Sequence, residues 1–297
     1  MRRRPHPYRT SFPLEELEVD LDDGGRLEFV LKDLRVDQLE GPVRVAKESV
    51  PHDPRREIEA YRMLDDAGLS TPGLFGAVSD PRHGRAWLLI ERIPGVPLWQ
   101  VGEREAWEAA AAWLASMHRR FQGSTPDPGS ALLVRNGAHA RRAMRRATAQ
   151  ASGRSRNRVV RLAHGLGEEL AAWLDGVPTT LVHGDFHASN ILVDVAHSPP
   201  RIAPVDWEMA GIGPGLLDLA NLISGGWTDP DRAAIVSAYA GSWGRTIDAE
   251  FLADVERCRL LNAVALLAVP AAWRPPPEHD HDWLREAESA AERLGTV

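Results

Sequence analysis

The sequence predicts an α+β protein with two lobes, a small β-rich lobe followed by a larger and mainly helical one. Three observations predict this class. The first third of the chain reads as short apolar runs separated by turn residues, the run "LLIERIPG" (88–95) ends at a Pro-Gly break, and helical periodicity prevails beyond it. A chain of 297 residues is long enough to bury a substantial core. We expect the two lobes over residues 1–93 and 94–297.

The first lobe is expected to hold a five-stranded sheet. Residues 14–21 and 26–34 flank the turn "DDGG" and predict a hairpin, and a preceding strand is expected over residues 8–12. The segments "STPGLFGAVSD" and "RAWLLIERIPG" supply two more extended runs.

One helix is expected between these strands, over residues 53–69. Asp53 can cap its first turn, Pro54 suits the first helical position, and apolar residues recur along one side. The helix should therefore pack one face against the sheet.

The second lobe is expected to be mainly helical. Residues 103–121 and 158–176 predict amphipathic helices, and three short extended segments follow them: "TTLVHGD", "NILVD" and "RIAPVDW". The chain from about Leu216 is again mostly helical. The apolar segment 260–273 is shorter than the roughly 20 residues of a membrane span, so it predicts a buried core helix.

Composition excludes several classes of function. The formal net charge of −7 disfavours nucleic acid as a partner. The single cysteine, Cys258, cannot form an internal disulfide, and the N-terminal residues lack the apolar core of a secretory signal. We expect a cytoplasmic monomer or homodimer that binds small molecules and neither nucleic acid nor membrane.

Three polar residues stand at the ends of the short extended segments in the second lobe. Asp185 and Asn190 flank a five-residue step in "HGDFHASN", and Asp206 follows in "PVDW". We expect the chain to bring them together at one sheet edge. Two of them supply hard oxygen ligands of the kind that Mg²⁺ takes, and the remaining carboxylate can orient a hydroxyl and accept its proton.

A family resemblance agrees with this chemistry. "HGDFHASNILVD" (183–194) followed by "VDWEMAGIGPGLLDLANL" (205–222) resembles the catalytic core of the aminoglycoside phosphotransferase and choline kinase-like family, which has a protein-kinase-like fold. The resemblance implies ATP or GTP as phosphoryl donor, Asp185 as the catalytic residue, and Asn190 and Asp206 as Mg²⁺ ligands.

The same resemblance indicates the class of acceptor. Eleven residues separate Asp206 from Asp218, too few for the peptide-docking segment of a protein kinase. The acceptor is therefore expected to be a small molecule with a hydroxyl group. Asp218 and His183 are expected to support the catalytic loop.

The resemblance also implies a lysine that binds the nucleotide phosphates and a helix glutamate that holds it. The chain has only two lysines, Lys32 and Lys47. Lys32 lies in the apolar strand "LEFVLKDL" and is favoured over Lys47, which lies in a polar segment. Glu57 is the expected partner and Glu59 the alternative.

Two further nucleotide contacts are expected from the resemblance. The backbone from Glu91 to Ile93 should bind the adenine. A glycine-rich loop would be expected between the first two strands, but "YRTSFPLEELEV" contains no glycine, so Ser11 and backbone amides near Phe12 are the candidate substitutes.

The resulting expectation is a Mg²⁺-dependent kinase that phosphorylates a hydroxyl of a sugar, an aminoglycoside-like compound or a related metabolite. A choline or amino-alcohol kinase is one alternative. The missing glycine-rich loop favours another, a catalytically silent nucleotide-binding regulatory module. The nine arginines of residues 135–161 predict a solvated helix face, and the candidate residues for stacking on an acceptor are three tryptophans: Trp207, Trp227 and Trp273.

Overall fold

The computed structural model describes residues 1–7, 12–38, 52–152, 156–269 and 281–295. Its strands are β1 (Arg2–Pro5), β2 (Leu14–Asp20), β3 (Arg26–Asp33), β4 (Leu74–Asp80), β5 (Arg85–Glu91), β6 (Val96–Pro97), β7 (Leu133–Val134), β8 (Thr180–Val182), β9 (Ile191–Asp194), β10 (Arg201–Pro204) and β11 (Gly211–Gly213). Its α-helices are α1 (Pro54–Asp66), α2 (Arg104–Arg120), α3 (Gly137–Gln150), α4 (Arg156–Gly176), α5 (Leu216–Leu222), α6 (Asp229–Trp243), α7 (Ala249–Leu267) and α8 (Trp283–Arg293).

The first five strands form the antiparallel sheet of the N-terminal lobe, in the order β1-β2-β3-β5-β4. The expected hairpin is β2 and β3. The outermost strand, β1, begins at Arg2, whereas the strand expected over residues 8–12 lies outside the described residues except for Phe12. An arginine run forms an edge strand here because its side chains pair with glutamates of β2: Arg3 with Glu15, and Arg4 with Glu16.

Helix α1 begins and ends close to the expected positions. Asp53 is its N-cap and accepts a hydrogen bond from the backbone N–H of Arg55 at 2.9 Å. The apolar side of the helix, with Ile58, Tyr61 and Leu64, is almost completely buried. Burial of this face fixes the rotation of α1, and with it the direction in which Glu57 projects.

The C-terminal lobe is built from packed helix pairs. Helix α2 packs against α6, α3 against α4, and α7 against both α5 and α8. Apolar residues of these helices form one continuous core. In the described residues, no helix is both long and apolar enough to cross a lipid bilayer.

The three short extended segments do not share a sheet, so the expectation of a single sheet edge is wrong. Strand β8 pairs with β11, which pairs in turn with β7. Strands β9 and β10 pair with each other in a second small sheet that also contains β6. Each extended segment is only three or four residues long, too short for its sequence to specify a pairing partner.

An ion pair connects β5, at the end of the N-terminal lobe, to β10. Both guanidinium Nη atoms of Arg201 donate to the Glu91 carboxylate, at 2.6 and 2.7 Å, and Arg201 also donates to the carbonyl of Thr71. The hydrogen bonds and charge of Arg201 lower the pKa of Glu91 against the opposing effect of partial burial. The side chain of Glu91 therefore fixes the segment that joins the lobes.

This geometry predicts a pH-dependent effect of Glu91→Gln on stability. The pKa of Glu91 is lower in the folded chain than in the unfolded chain, so its contribution is present above the unfolded pKa of about 4.3 and is lost as the pH falls through the folded value. We expect a loss of about 1 kcal/mol in the free energy of unfolding at pH 7, typical of a partly exposed bidentate pair.

Urea unfolding of both proteins between pH 3 and pH 8 measures this effect, with Glu108→Gln as the control. Glu108 pairs with Arg104 on an exposed helix face, where little effect is expected. A difference for Glu91→Gln that stays constant down to pH 3 would contradict an ionic role.

Candidate active site

The loop between β8 and β9 presents Asp185 on an anchored backbone. The side chain of Asp185 is 41% exposed, whereas Phe186 beside it is fully buried. The buried carboxylate of Asp218 accepts hydrogen bonds from the backbone N–H groups of His183 at 2.6 Å and Gly184 at 2.8 Å. Asp218 thus holds the loop from below, as the sequence led us to expect, and leaves Asp185 accessible.

Asp218 is itself kept ionised by its neighbours. Burial alone would raise the pKa of Asp218, but the hydrogen bond and charge of His118 hold it below the ordinary value. The Nε2 atom of His118 lies 3.3 Å from the Asp218 carboxylate, and its Nδ1 atom lies 2.9 Å from the hydroxyl of Tyr239. An ionised carboxylate is the stronger acceptor for the two loop amides.

Asn190 and Asp206 lie beside Asp185. The Nδ2 atom of Asn190 donates to both the backbone carbonyl and the carboxylate of Asp185, each at 3.0 Å. The carbonyl of Asn190 accepts from the backbone N–H of Val205 at 2.8 Å, which fixes the position of Asp206. Backbone and side-chain hydrogen bonds, rather than a common sheet edge, bring the three expected residues together.

The oxygens of Asn190 and Asp206 fit a Mg²⁺ ion that is shared with a phosphorylated ligand. The amide nitrogen of Asn190 is engaged by Asp185, and its Oδ1 atom accepts no hydrogen bond from the described residues. Asp206 has a left-handed backbone, with φ of 64° and ψ of 60°, which is uncommon for a residue other than glycine. No cluster of three His, Cys, Asp or Glu suited to a metal occurs in the described part of the chain, and Mg²⁺ commonly takes only one or two protein carboxylates.

Lys32 reaches this site from the N-terminal lobe. Its Nζ atom lies 3.0 and 2.8 Å from the two oxygens of the Glu57 carboxylate and also contacts Asp206. Burial would lower the pKa of Lys32, but the charges of Asp206 and Glu57 raise it well above its ordinary value. Burial raises the pKa of Glu57 to about 7 against the opposing charge of Lys32. The structure therefore brings together Lys32, Glu57 and Asp206, which lie far apart in the sequence.

Glu59, the alternative to Glu57, has a different position. Its carboxylate accepts hydrogen bonds from the hydroxyl of Ser130 at 2.5 Å and the backbone N–H of Ala131 at 2.9 Å. The buried guanidinium of Arg56 donates to the carbonyls of Ala131 at 2.9 Å and Glu208 at 3.0 Å. Both residues attach α1 to the C-terminal lobe, a role that the sequence did not reveal because most of their partners are backbone groups of distant segments.

The segment after β5 carries a free backbone edge. The backbone N–H of Arg92 donates to the carbonyl of Glu28, whereas the N–H and carbonyl of Ile93 form no hydrogen bond with the described residues. Ile93 is buried, with only 7% of the residue exposed. Buried backbone polar groups are normally paired, so these two groups are suited to a ligand. These two groups are suited to the edge of a planar heterocycle. Ser11 lies outside the described residues, and the ring of Phe12 lies 5.6 Å from Nζ of Lys32.

Aromatic side chains line the other side of Asp185. The Nε2 atom of His187 lies 3.6 Å from the Asp185 carboxylate, and its ring centroid is 6.4 Å from that of Trp283. Trp283 in turn packs edge-on against His281 at 4.6 Å. Sequence analysis missed Trp283 because no local pattern sets it apart from the other tryptophans.

The expectation that Trp207 stacks on an acceptor is wrong. Trp207 is fully buried, packs on His183 with ring centroids 4.4 Å apart, and donates to the carbonyl of Pro204. Trp227 packs edge-on against Trp107 at 4.5 Å, and Trp273 lies outside the described residues.

A family model described as the phosphotransferase enzyme family, APH, matches residues 16–261. No protein of curated function matches the chain significantly by sequence. Many solved structures resemble it in fold, including the three that follow. A microcompartment-associated aminopropanol kinase has a TM-score of 0.65 at 18% identity, with 99% of this chain and 89% of that chain covered. Choline kinase LicA from Streptococcus pneumoniae has a TM-score of 0.65 at 15% identity, covering 100% and 94%.

The third structure is an aminoglycoside phosphotransferase from Streptomyces rimosus in complex with ADP and streptomycin. It has a TM-score of 0.53 at 18% identity, and 89% of this chain and 92% of that chain are covered. Likeness at such identities shows the fold alone, and it confirms the α+β, protein-kinase-like class that the sequence predicts.

The geometry around Lys32 predicts that Lys32→Met weakens ATP binding at least tenfold, or by about 1.4 kcal/mol. Methionine keeps most of the bulk of the side chain but removes the charge that would meet the phosphates. Calorimetric titration with Mg²⁺ and ATP measures the affinity. Lys47→Met is the control because sequence analysis places Lys47 in a solvated segment, outside the described residues. If Lys47→Met alone weakened binding, the role assigned to Lys32 would be wrong.

Proposed function

We propose that this chain, which belongs to the phosphotransferase enzyme family, transfers the γ-phosphoryl group of ATP or GTP to a hydroxyl of a small molecule. Mg²⁺ would be the cofactor. The observation that carries this proposal is the position of Asp185, an exposed carboxylate on an anchored loop that is bonded to Asn190. The carbonyl of Asn190 holds the segment of Asp206, which in turn contacts Lys32. Positioning and electrostatic stabilisation are the main requirements of phosphoryl transfer, and this arrangement meets both.

The nucleotide would bind between the lobes. The free N–H and carbonyl of Ile93 would pair with the base, and Lys32, held by Glu57, would bind the phosphates. Lys32 and Asp206 contact each other directly. When a nucleotide binds with its metal ion, the phosphates would bind to Lys32 and the metal ion to Asp206, in place of this contact. Mg²⁺, held by Asn190 and Asp206, would offset phosphate charge during transfer.

Asp185 would act on the acceptor. Its carboxylate is within reach of solvent and its orientation is set by the amide of Asn190. An oriented carboxylate can align a hydroxyl for in-line attack and accept its proton as the new bond to phosphorus forms. Asn190 would therefore have two roles: its amide nitrogen orients Asp185, and its Oδ1 atom would be available to bind Mg²⁺.

The acceptor that we propose first is a sugar or an aminoglycoside-like compound. His187, next to Asp185, and the half-buried Trp283 that packs edge-on against it are aromatic groups on which a ring could stack. A choline or amino-alcohol acceptor is the alternative, since the same aromatic surface suits an alkylammonium group. The structural neighbours include kinases named for each of these acceptor classes, so an acceptor screen should contain both.

The acidic residues of the last helices give little support to a cationic acceptor. Asp248 caps α7, Asp254 pairs with Arg257, and Glu256 pairs with Arg259. These carboxylates are engaged within the protein.

A catalytically silent module is a weaker alternative. Such a module needs to retain the groups that bind nucleotide, but it has no need for an exposed carboxylate oriented by the amide of Asn190. Turnover therefore distinguishes the two functions, whereas nucleotide binding alone does not.

Asp185→Asn tests the proposed function directly. We expect turnover to fall at least 100-fold, within the range for loss of a general base, while the affinity for Mg²⁺ and ATP changes by less than twofold. Phosphate transfer to a panel of sugars, aminoglycosides and amino alcohols gives the turnover, and hydrolysis of ATP gives the rate with water as acceptor. Asp80→Asn, on the surface of the N-terminal lobe, is the control. Full turnover by Asp185→Asn with the preferred acceptor would exclude this role.

Asp206→Ala and Asn190→Ala test the metal site. We expect Asp206→Ala to remove most of the Mg²⁺ dependence of ATP binding, and Asn190→Ala to reduce it less because the amide carries no charge. Without Mg²⁺, Asp206→Ala should bind ATP at least as tightly as the natural protein, since a carboxylate that competes for Lys32 has been removed. Titrations with Mg²⁺ and with a chelator check both expectations. An unchanged Mg²⁺ dependence in both variants would place the metal elsewhere.

A further inference from the structure

Arg135 is a deeply buried arginine behind the catalytic loop. It directly follows β7 and is 8% exposed. One Nη atom donates to the carbonyl of Met209 at 3.0 Å, and the other lies 3.4 Å from Nε2 of His139. Its Nε atom is buried without a hydrogen-bond partner, and no carboxylate of the described residues forms a salt bridge with it.

Burying a guanidinium group without a carboxylate partner costs folding free energy. Burial lowers the pKa of Arg135 to about 10, although the charges of Asp218 and Asp185 favour the protonated form. The group is therefore still charged at neutral pH. Burial and the charge of Arg135 lower the pKa of His139 to about 3, so this imidazole is neutral and able to accept a hydrogen bond. A buried charge whose hydrogen-bond partners are neutral destabilises a fold. The presence of Arg135 therefore indicates a role other than stabilising the folded state.

The space for Arg135 is created by two glycines. A Cβ atom at Gly184 would lie 2.6 Å from an Nη atom of Arg135, and a Cβ atom at Gly213 would lie 2.5 Å from its Cβ. Gly184, with a φ of 78°, directly precedes Asp185. Met209, whose carbonyl accepts from Arg135, lies three residues beyond Asp206. One side chain therefore contacts both the catalytic loop and the segment that follows the metal ligand.

We propose that Arg135 is a positioning residue for phosphoryl transfer, a role that rests on the proposed function. Wedged against Gly184 and bonded to the carbonyl of Met209, it keeps the loop of Asp185 at a fixed distance from the segment of Asp206. The distance between the carboxylates of Asp185 and Asp206 then stays the same when the nucleotide binds. Phosphoryl transfer is sensitive to such alignment, because small displacements of the reacting groups lower the rate steeply.

The other arginines of this region that have partners differ from Arg135. The solvated helix face that the sequence predicts for the nine arginines of residues 135–161 is wrong for Arg135, which is buried and precedes α3. Arg141 pairs with Glu168 and Arg158 with Glu288 at the surface, in agreement with that prediction. Arg135 contacts backbone and a neutral imidazole instead. Since its guanidinium is buried behind the loop, its loss should affect the catalytic step more than the binding of either substrate.

The test compares Arg135→Met and Arg135→Lys with Arg141→Met as the surface control. ATP hydrolysis in the presence of Mg²⁺, with water as the acceptor, gives kcat and KM, and thermal denaturation gives Tm. We expect Arg135→Met to lower kcat at least tenfold with KM for ATP within twofold. We expect its Tm to be unchanged or higher, since an apolar side chain replaces a desolvated charge. Arg135→Lys keeps the charge and one donor, so its kcat should fall less.

A second measurement does not depend on activity. Hydrogen exchange of the peptide that contains residues 183–187 should be faster in Arg135→Met and unchanged in Arg141→Met, because Arg135 contacts Gly184. Should Arg135→Met fail to fold, Arg135→Lys carries the test, with an expected fall of kcat of threefold or more at unchanged KM.

Two failures are distinguishable. If the natural protein neither binds nor hydrolyses ATP or GTP, the proposed function is wrong and the role of Arg135 is wrong with it. If the natural protein is active and Arg135→Met keeps its kcat within twofold, or loses activity only through a higher KM, the proposed function stands and the positioning role of Arg135 is overturned.

Discussion

The arrangement of the site depends on the burial of one lysine charge. Lys32 stands on the central strand of the N-terminal sheet, with only 7% of its side chain exposed. A buried ammonium group is tolerated only if carboxylates meet it, and Glu57 of α1 and Asp206 of the C-terminal lobe do so. The buried apolar face of α1 sets the rotation that lets Glu57 meet this charge, and the contact of Lys32 with Asp206 joins the two lobes at the point where a nucleotide would bind.

The same constraint explains how α1 is attached. Glu57 can face Lys32 only if the helix does not turn or slide. Its neighbour Arg56 binds the backbone carbonyls of Ala131 and Glu208, and Glu59 binds the hydroxyl of Ser130 and the backbone N–H of Ala131. The helix is therefore anchored to the C-terminal lobe by polar contacts and to the sheet by its apolar face. A motion that separated the lobes would have to break buried hydrogen bonds to charged groups, which contribute more than neutral ones.

The parts of the structure that follow local rules were predictable from the sequence. The hairpin and the helix capped by Asp53 follow from alternation and capping. The pair of Lys32 and Glu57 was implied by the family resemblance, and the apolar strand around Lys32 selected it from the two lysines. Distant contacts were not predictable. The bidentate bond of Arg201 to Glu91 and the wedge of Arg135 join segments far apart in the chain, and neither has a local signature. The division of the short strands into two sheets is likewise set by tertiary packing.

Asp185 is exposed, whereas other charged groups around it are buried. Three charged groups of the site are buried: Asp218 accepts from the loop amides, Arg135 contacts Gly184, and Lys32 pairs with Asp206. In a medium of low polarity these charges act strongly on fixed neighbours, and their positions change little when a substrate enters. Asp185 alone among these charges is well exposed, so a hydroxyl acceptor can reach it. Because the charged groups around Asp185 are already fixed in position, they need to move little during the reaction. This fixed arrangement, more than the identity of any one residue, is what the fold contributes to catalysis.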